Sequence, residues 1–342
     1  MNIGIIGTGA MGSLFAARLS AEAAVCMIGS WREQLLAINN KGLKLVHLDG
    51  RESTHSFPAT DDLEQLEQVD FALILVKGWQ TERAAKRARE ILTADGLALS
   101  LQNGIGNLEK IEREVGIDRA LLGITSEGAN MIAPGIVRHA GYGTTYIAAD
   151  ASSDELVREF VELLNKVGFE THITNDVDSL IWGKLAINAG INPLTGLLQV
   201  PNGFLAEDPV ARKLMFRAAE ETADVARSLG IELPYESASE KVLQVAQQTS
   251  ANISSMAQDI ARGSPTEIES ITGAIVAISQ KKDVPTPINT AFLVLMNSLL
   301  KNESWQDAIK PLPQDLRGYF IQLAKLDPND SKPMGRSTRS VF

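Results

Sequence analysis

Lys184, Asn188 and Asn192 fall four residues apart within Leu180 to Gly203, a stretch that reads LIWGKLAINAGINPLTGLLQVPNG and is otherwise largely apolar. On a helix, that spacing stacks side chains on one face. A lysine in apolar surroundings is costly unless it is paired or faces a wet pocket. The stripe therefore reads as the wall of a cleft. Its bland counterpart, a polar seam bonded to a neighbouring helix, has no need of an ionisable amine. An ammonium held among polar neighbours can stabilise and protonate a nascent oxyanion. Pro193 lacks an N–H and is expected to bend or interrupt this helix, leaving carbonyls free beside Asn188 and Asn192.

A second constellation stands at the start of the chain. The apolar run Asn2 to Ile6 leads at once into Gly7-Thr8-Gly9-Ala10-Met11-Gly12, and helical spacing follows from Ser13 to Ser20. Strand, GxGxxG and helix is the context of a dinucleotide fingerprint, in which the loop and the helix N-terminus cradle a pyrophosphate. The next strand, Ala24 to Ile28, ends in Gly29-Ser30-Trp31-Arg32, with no acid before Glu33. A carboxylate here would hold a ribose 2′-hydroxyl and repel a 2′-phosphate, whereas Ser30 and Arg32 can bind the phosphate. The reading favours NADP over NAD, against the alternative of Arg32 as a solvated first-turn residue.

Two further buried strands, Phe71 to Val76 and Leu97 to Leu101, end in Lys77-Gly78-Trp79-Gln80 and Gln102-Asn103-Gly104-Ile105-Gly106. Lys77 and Asn103 then arrive at the edge where doubly wound sheets bind ligands. A simple NG turn is the other reading of Asn103. In the second half, Asn252-Ile-Ser-Ser-Met-Ala-Gln-Asp259 sets hydroxyls before a helical turn, where Ser255 is either a ligand contact or part of a helix cap. Glu267 and Glu269 open the next predicted helix, Thr266 to Gln280, and a first-turn carboxylate is their ordinary use.

These groups need a scaffold, and the chain of 342 residues is long enough for two domains. Alternating strands and helices to about residue 174 predict a Rossmann-type α/β dinucleotide-binding domain, including a hairpin of Leu43 to Leu48 with Glu52 to Phe57. Strands are also expected at Leu121 to Thr125, Gly135 to Ala148 and Glu170 to Ile173, with a helix at Glu155 to Val167. From 175 to 326 the periodicity predicts an all-helical domain, and 327–342 reads as a loose tail.

The net charge of −10 argues against nucleic-acid or anionic-membrane binding, and no apolar run is long enough to span a bilayer. Cys26 is the sole cysteine, so no intrachain disulfide forms. The expectation is a cytoplasmic protein with no metal, a small-molecule partner, and a possible homodimer contact in the helical half.

Taken together, GTGAMG, LVKGWQT, QNGIGN, WGKLAINAGINPLTGLLQVPNG, and NISSMAQDI followed by TEIESI resemble the ketopantoate reductase (2-dehydropantoate 2-reductase) family over nearly the whole chain. The resemblance implies NADPH-dependent reduction of 2-dehydropantoate to (R)-pantoate, on the route to pantothenate and coenzyme A. It implies Lys184 as proton donor and Glu267 as the carboxylate placing substrate and lysine. Asn103 would lie near nicotinamide and substrate, and Lys77 at the nicotinamide end. Asn188, Asn192, Asn202 and Ser255 would hold the substrate. The chain departs from the family at the second strand, where its basic residue is Arg32 rather than one nearer Ser30. Two other readings stand beside this one. One is an NAD(P)-dependent dehydrogenase of another branched or aromatic 2-hydroxy acid. The other is a non-catalytic NADP-binding sensor, which would have no use for Lys184 and Glu267.

Overall fold

In the computed structural model, residues 1–64, 66–149 and 155–301 are described. The expected tail at 327–342, and the expected helical half beyond 301, lie outside them. The chain divides into two compact units. Among the described residues, one comprises Met1–Leu185 with Ile231–Pro234 and Glu269–Ala274, and the other Ala186–Gly230, Tyr235–Ile268 and 275–301.

The first unit runs β1 (Asn2–Ile6), α1 (Ala10–Leu19), β2 (Ala24–Ile28), α2 (Arg32–Lys41), β3 (Leu43–Val46), β4 (Glu52–His55), β5 (Ala59–Thr60), β6 (Val69–Ile74), α3 (Thr81–Ile91), β7 (Leu92–Ser100), α4 (Leu108–Val115), β8 (Ala120–Thr125), β9 (Gly128–Ala133), β10 (Ile136–Gly141), β11 (Thr145–Ala148), α5 (Glu155–Lys166) and β12 (Thr171–Thr174). Eight strands form one sheet in the order β12-β11-β8-β7-β6-β1-β2-β5. Strands β1, β2, β5, β6, β7 and β8 are mutually parallel, and β11 runs antiparallel to β8. The parallel run explains the unbroken apolar strands, because a sheet covered on both faces has no solvent side.

Alternation along the strands sorts two cores. Ile3, Ile5, Phe71, Leu73, Leu97 and Leu99 pack with α1 and α5, and Phe71 and Phe160 stack at 4.2 Å. Ile6, Ala72, Ile74 and Ala98 face the other way, against Ala84, Ala85 and Ala88 of α3 and Ile111 of α4. The predicted hairpin is present as β3 and β4, pairing Leu43 with His55 through Val46 with Glu52. It does not join the main sheet but a second one, ordered β4-β3-β10-β9. Strand β9 was not foreseen: GANMIA has no strict alternation, and its pairing comes from β10, beyond the turn at Gly135.

The second half of the described chain holds α6 (Val177–Leu198), α7 (Asn202–Glu207), α8 (Pro209–Ser228), α9 (Ala238–Gln248), α10 (Ser255–Ala261), α11 (Ala274–Lys282) and α12 (Pro287–Lys301). Asp208 caps α8 by accepting from Val210 N and Ala211 N, with Pro209 at the first helical position. Buried Glu221 of α8 accepts from the N–H groups of Ile288 and Asn289 at the start of α12, at 2.8 and 2.9 Å. An internal carboxylate thus does for α12 what a cap does at a surface.

Two expectations are corrected. Helix α6 runs through Pro193 without interruption to Leu198. Burial of Ala189, Ile191 and Leu194 around the proline holds the segment helical, and the Thr195 hydroxyl donates to the Ile191 carbonyl at 2.8 Å. The second correction concerns the helix expected from Thr266, which begins later, as a π-helical turn at Glu269–Gly273 leading into α11. The Ser270 carbonyl accepts from Ile105 N at 3.1 Å, a bond that turns it away from a regular helical ladder.

Candidate active site

Strand β1 opens straight into the glycine loop. Gly7 has φ +132°, and a Cβ there would meet the Leu75 carbonyl oxygen at 2.6 Å. A Cβ on Gly12 would meet the Gly7 carbonyl oxygen at 2.0 Å, so α1 and β1 approach as closely as bare backbone permits. Gly9, the N-cap of α1, has nothing within 4 Å of its Cβ position, and no side chain caps the helix. One side of the loop is packed and the other open over unpaired N–H groups, which suits an anionic group such as a pyrophosphate. Thr8 is buried against the end of β2, where a Cβ on Gly29 would meet its Cγ2 at 2.3 Å, while Ala10 and Met11 are half-buried. Beyond Gly29, Ser30 and Arg32 are exposed, and Arg32 begins α2. No carboxylate stands between the end of β2 and Glu33.

The ends of β6 and β7 are welded by buried amides and hydroxyls. Gln102 donates from Nε2 to the Val76 carbonyl at 2.8 Å and to Thr81 Oγ1 at 2.9 Å. Thr81 Oγ1 donates to Asn107 Oδ1 at 2.9 Å, and Asn107 Nδ2 donates to the Asn103 carbonyl at 3.2 Å. Half-buried Lys77 and Asn103 sit on the two loops that this network joins. The π-helical turn seals the arrangement: Gly104, at φ +81°, could carry no Cβ without meeting the Ser270 carbonyl oxygen at 2.3 Å. Sequence reasoning gave no role to Thr81, Gln102, Asn107 and Ser270, although they lie in motifs it singled out. Their only local sign is polarity beside buried strands.

Lys184 of α6 reaches the same edge. Its ammonium donates to the carbonyl oxygen of Thr125, the last residue of β8, at 2.5 Å. Because β1, β6, β7 and β8 are parallel, their C-terminal ends share one edge. The structure therefore gathers the glycine loop, Lys77, Asn103 and Lys184 on a single side of the first unit. An ammonium, an amide and an anion seat are the groups that orient a nucleotide and protonate a developing alkoxide.

The remaining expected residues lie in the second unit. Asn188 is half-buried, and Asn192 is buried one turn further along α6. Asn202 is also buried, and its Nδ2 donates to Thr249 Oγ1 at 2.9 Å, tying the start of α7 to the end of α9. Its Oδ1 is buried with no hydrogen-bond donor among the described residues. Ser255 is exposed. Its neighbour Ser254 is the buried one, capping α10 by accepting from Ala257 N, with its hydroxyl 2.7 Å from Thr195 Oγ1. Glu267 is buried just ahead of the π-helical turn rather than within a helix.

The chain matches the family model described as "Ketopantoate reductase PanE/ApbA" over residues 3–152, and the model described as "Ketopantoate reductase PanE/ApbA C terminal" over 176–299. It is 35% identical over 291 residues to the 2-dehydropantoate 2-reductase of Halobacterium salinarum, covering 84% of this chain and 95% of that protein. Among solved structures it is similar to a ketopantoate reductase from Ralstonia eutropha JMP134, with 27% identity, a TM-score of 0.81, and 90% of this chain and 100% of that one covered. It is also similar to D-mandelate dehydrogenase in a ternary structure with NADH and anilino(oxo)acetate, at 26% identity and a TM-score of 0.81, covering 90% and 99% of the two chains. On the two family matches and the level of identity, the chain belongs to the ketopantoate reductase family.

Proposed function

We propose that this protein reduces 2-dehydropantoate to (R)-pantoate with NADPH, on the route to pantothenate and coenzyme A. The reading rests above all on the bond from the Lys184 ammonium to the last carbonyl of β8, on the edge that carries the glycine loop. When bound, the nicotinamide supplies the hydride. The chain's own groups do the rest. Lys184 delivers its proton to the carbonyl oxygen as charge develops there. Glu267 places lysine and substrate. Asn103 and Lys77 hold the nicotinamide end, with Asn103 also near the substrate. Asn188, Asn192, Asn202 and Ser255 grip the substrate's hydroxyl and carboxylate. Residues 1–174 carry the nucleotide and 175–326 the keto acid, in a cytoplasmic protein that can form a homodimer. Among the described residues, no helix is long and apolar enough to cross a membrane.

A second reading, a dehydrogenase of an aromatic or branched 2-hydroxy acid using NAD, is favoured by the likeness to D-mandelate dehydrogenase. A panel decides between them: kcat/KM for 2-dehydropantoate and for a bulkier aromatic 2-keto acid, each with NADPH and NADH. Highest kcat/KM with 2-dehydropantoate and NADPH supports the proposal, whereas preference for the aromatic acid overturns it. No turnover with either acid, nucleotide binding being kept, would favour the non-catalytic sensor.

A further inference from the structure

We infer that Glu127 and His139, a buried pair on the β9–β10 side of the first unit, are positioning residues that fix the turn on which the Lys184 ammonium rests. The inference builds on Lys184 as the proton donor. His139 is 1% exposed and Glu127 8%. Two such groups buried outside the nucleotide loop need a reason, because burying polar side chains is costly unless every bond is made.

The bonds form one chain. Arg18 NH2 approaches His139 Nδ1 at 3.1 Å, and a guanidinium can only donate. Nδ1 must therefore offer its lone pair, which leaves the proton on Nε2. That Nε2–H faces Glu127 Oε2 at 2.7 Å and the Gly141 carbonyl at 3.0 Å. Glu127 Oε1 accepts from Gly143 N at 3.4 Å, and Ser126 N donates to the Thr144 carbonyl at 3.0 Å. The turn after β8 and the turn after β10 are thereby zipped together. Gly143 is needed for this, since a Cβ there would meet the Ser126 backbone at 2.2 Å.

At the other end, Thr125 is held from both sides. Its hydroxyl bonds to Thr145 Oγ1 at 2.8 Å and accepts from Glu127 N at 3.2 Å, while its carbonyl receives Lys184. Arg18 is itself pinned, donating to the Gly168 carbonyl at 2.9 Å with its guanidinium 4.6 Å from the Phe169 ring centroid. The His139 and Tyr142 rings also meet edge to face, with centroids 4.6 Å apart. Arg18 lies in the last turn of α1, whose first turn contains the second half of the glycine loop. One helix thus refers the lysine's seat to the nucleotide's seat. A proton donor misplaced by even an ångström loses much of its effect.

The test compares Glu127→Ala, Glu127→Gln and His139→Ala in the full chain with 2-dehydropantoate and NADPH, each well below its own Tm. Both Ala variants should lose between about tenfold and a hundredfold in kcat. KM and the NADPH dissociation constant should stay within about threefold of native. Glu127→Gln keeps an oxygen for His139 Nε2–H and should recover most of the loss. In a Lys184→Ala background, the same truncations should leave the residual turnover unchanged, because the seat no longer has an occupant. Native kcat in the Ala variants overturns the inference. So does a loss of NADPH affinity equal to the loss in kcat, or an undiminished effect in the Lys184→Ala background. Full turnover of Lys184→Ala alone would instead defeat the reading of Lys184 on which the inference is built.

Discussion

The Lys184 ammonium and the Thr125 carbonyl oxygen lie 2.5 Å apart, joining a helix to a strand end 59 residues earlier in the chain. In the proposed role of Lys184 as proton donor, this bond fixes where the proton is delivered. It puts the lysine on the side of the sheet that carries the glycine loop.

Lys184→Ala should lower kcat by a factor of about a hundred or more while NADPH affinity holds, because proton delivery is lost and the nucleotide seat is not. Steady-state kinetics with 2-dehydropantoate, together with fluorescence titration of NADPH, measure the two separately. Unchanged kcat would remove Lys184 from the mechanism.

Arg32→Ala should cut kcat/KM for NADPH about tenfold, near 1.4 kcal/mol, and leave the value for NADH nearly unchanged. Arg32 is exposed at the start of α2 with no carboxylate between it and the end of β2. Equal losses with both nucleotides would show that it does not recognise a 2′-phosphate.

Gly12→Ala should destabilise the first unit by about 3 kcal/mol or more, because the new Cβ would meet backbone rather than a yielding side chain. Cofactor affinity should fall with it. Thermal unfolding and NADPH titration report both, and a variant with native values of each would mean that α1 can shift freely against β1.

Glu221 makes stability depend on pH. Burial pushes its carboxyl up to about 7, partly opposed by the bonds from Asn289 and Ile288. The folded chain therefore holds this proton more tightly than the unfolded chain does. Its contribution is complete below the unfolded value of 4.5 and is lost as pH rises through about 7. The full change is on the order of 3 kcal/mol. Denaturant titrations across that range should show native stability falling with pH, and Glu221→Gln should flatten the curve. An equal slope in the variant would assign the dependence to other groups.

Much of this was legible from local pattern. GTGAMG between an apolar run and a helical one announces its turn and its open face, because tight backbone approach demands glycine whatever the rest of the chain does. The four-residue spacing of Lys184, Asn188 and Asn192 likewise needs only helix geometry. The end of α6 was less legible: Pro193 argues for a break, yet buried neighbours hold the helix through it.

The rest was decided only by tertiary structure. No local pattern pairs Thr125 with Lys184, Ser270 with Gly104, or His139 with Arg18, since those contacts join segments far apart in sequence. Ser254 and Ser255 are adjacent hydroxyls that sequence cannot rank, and packing buries one and exposes the other. The chain by itself determines which residue types are available and which local conformations they permit. Whether a lysine becomes a proton donor depends on what the fold brings within hydrogen-bond reach of it, and distant strand ends arrive there only when the sheet closes around its cores.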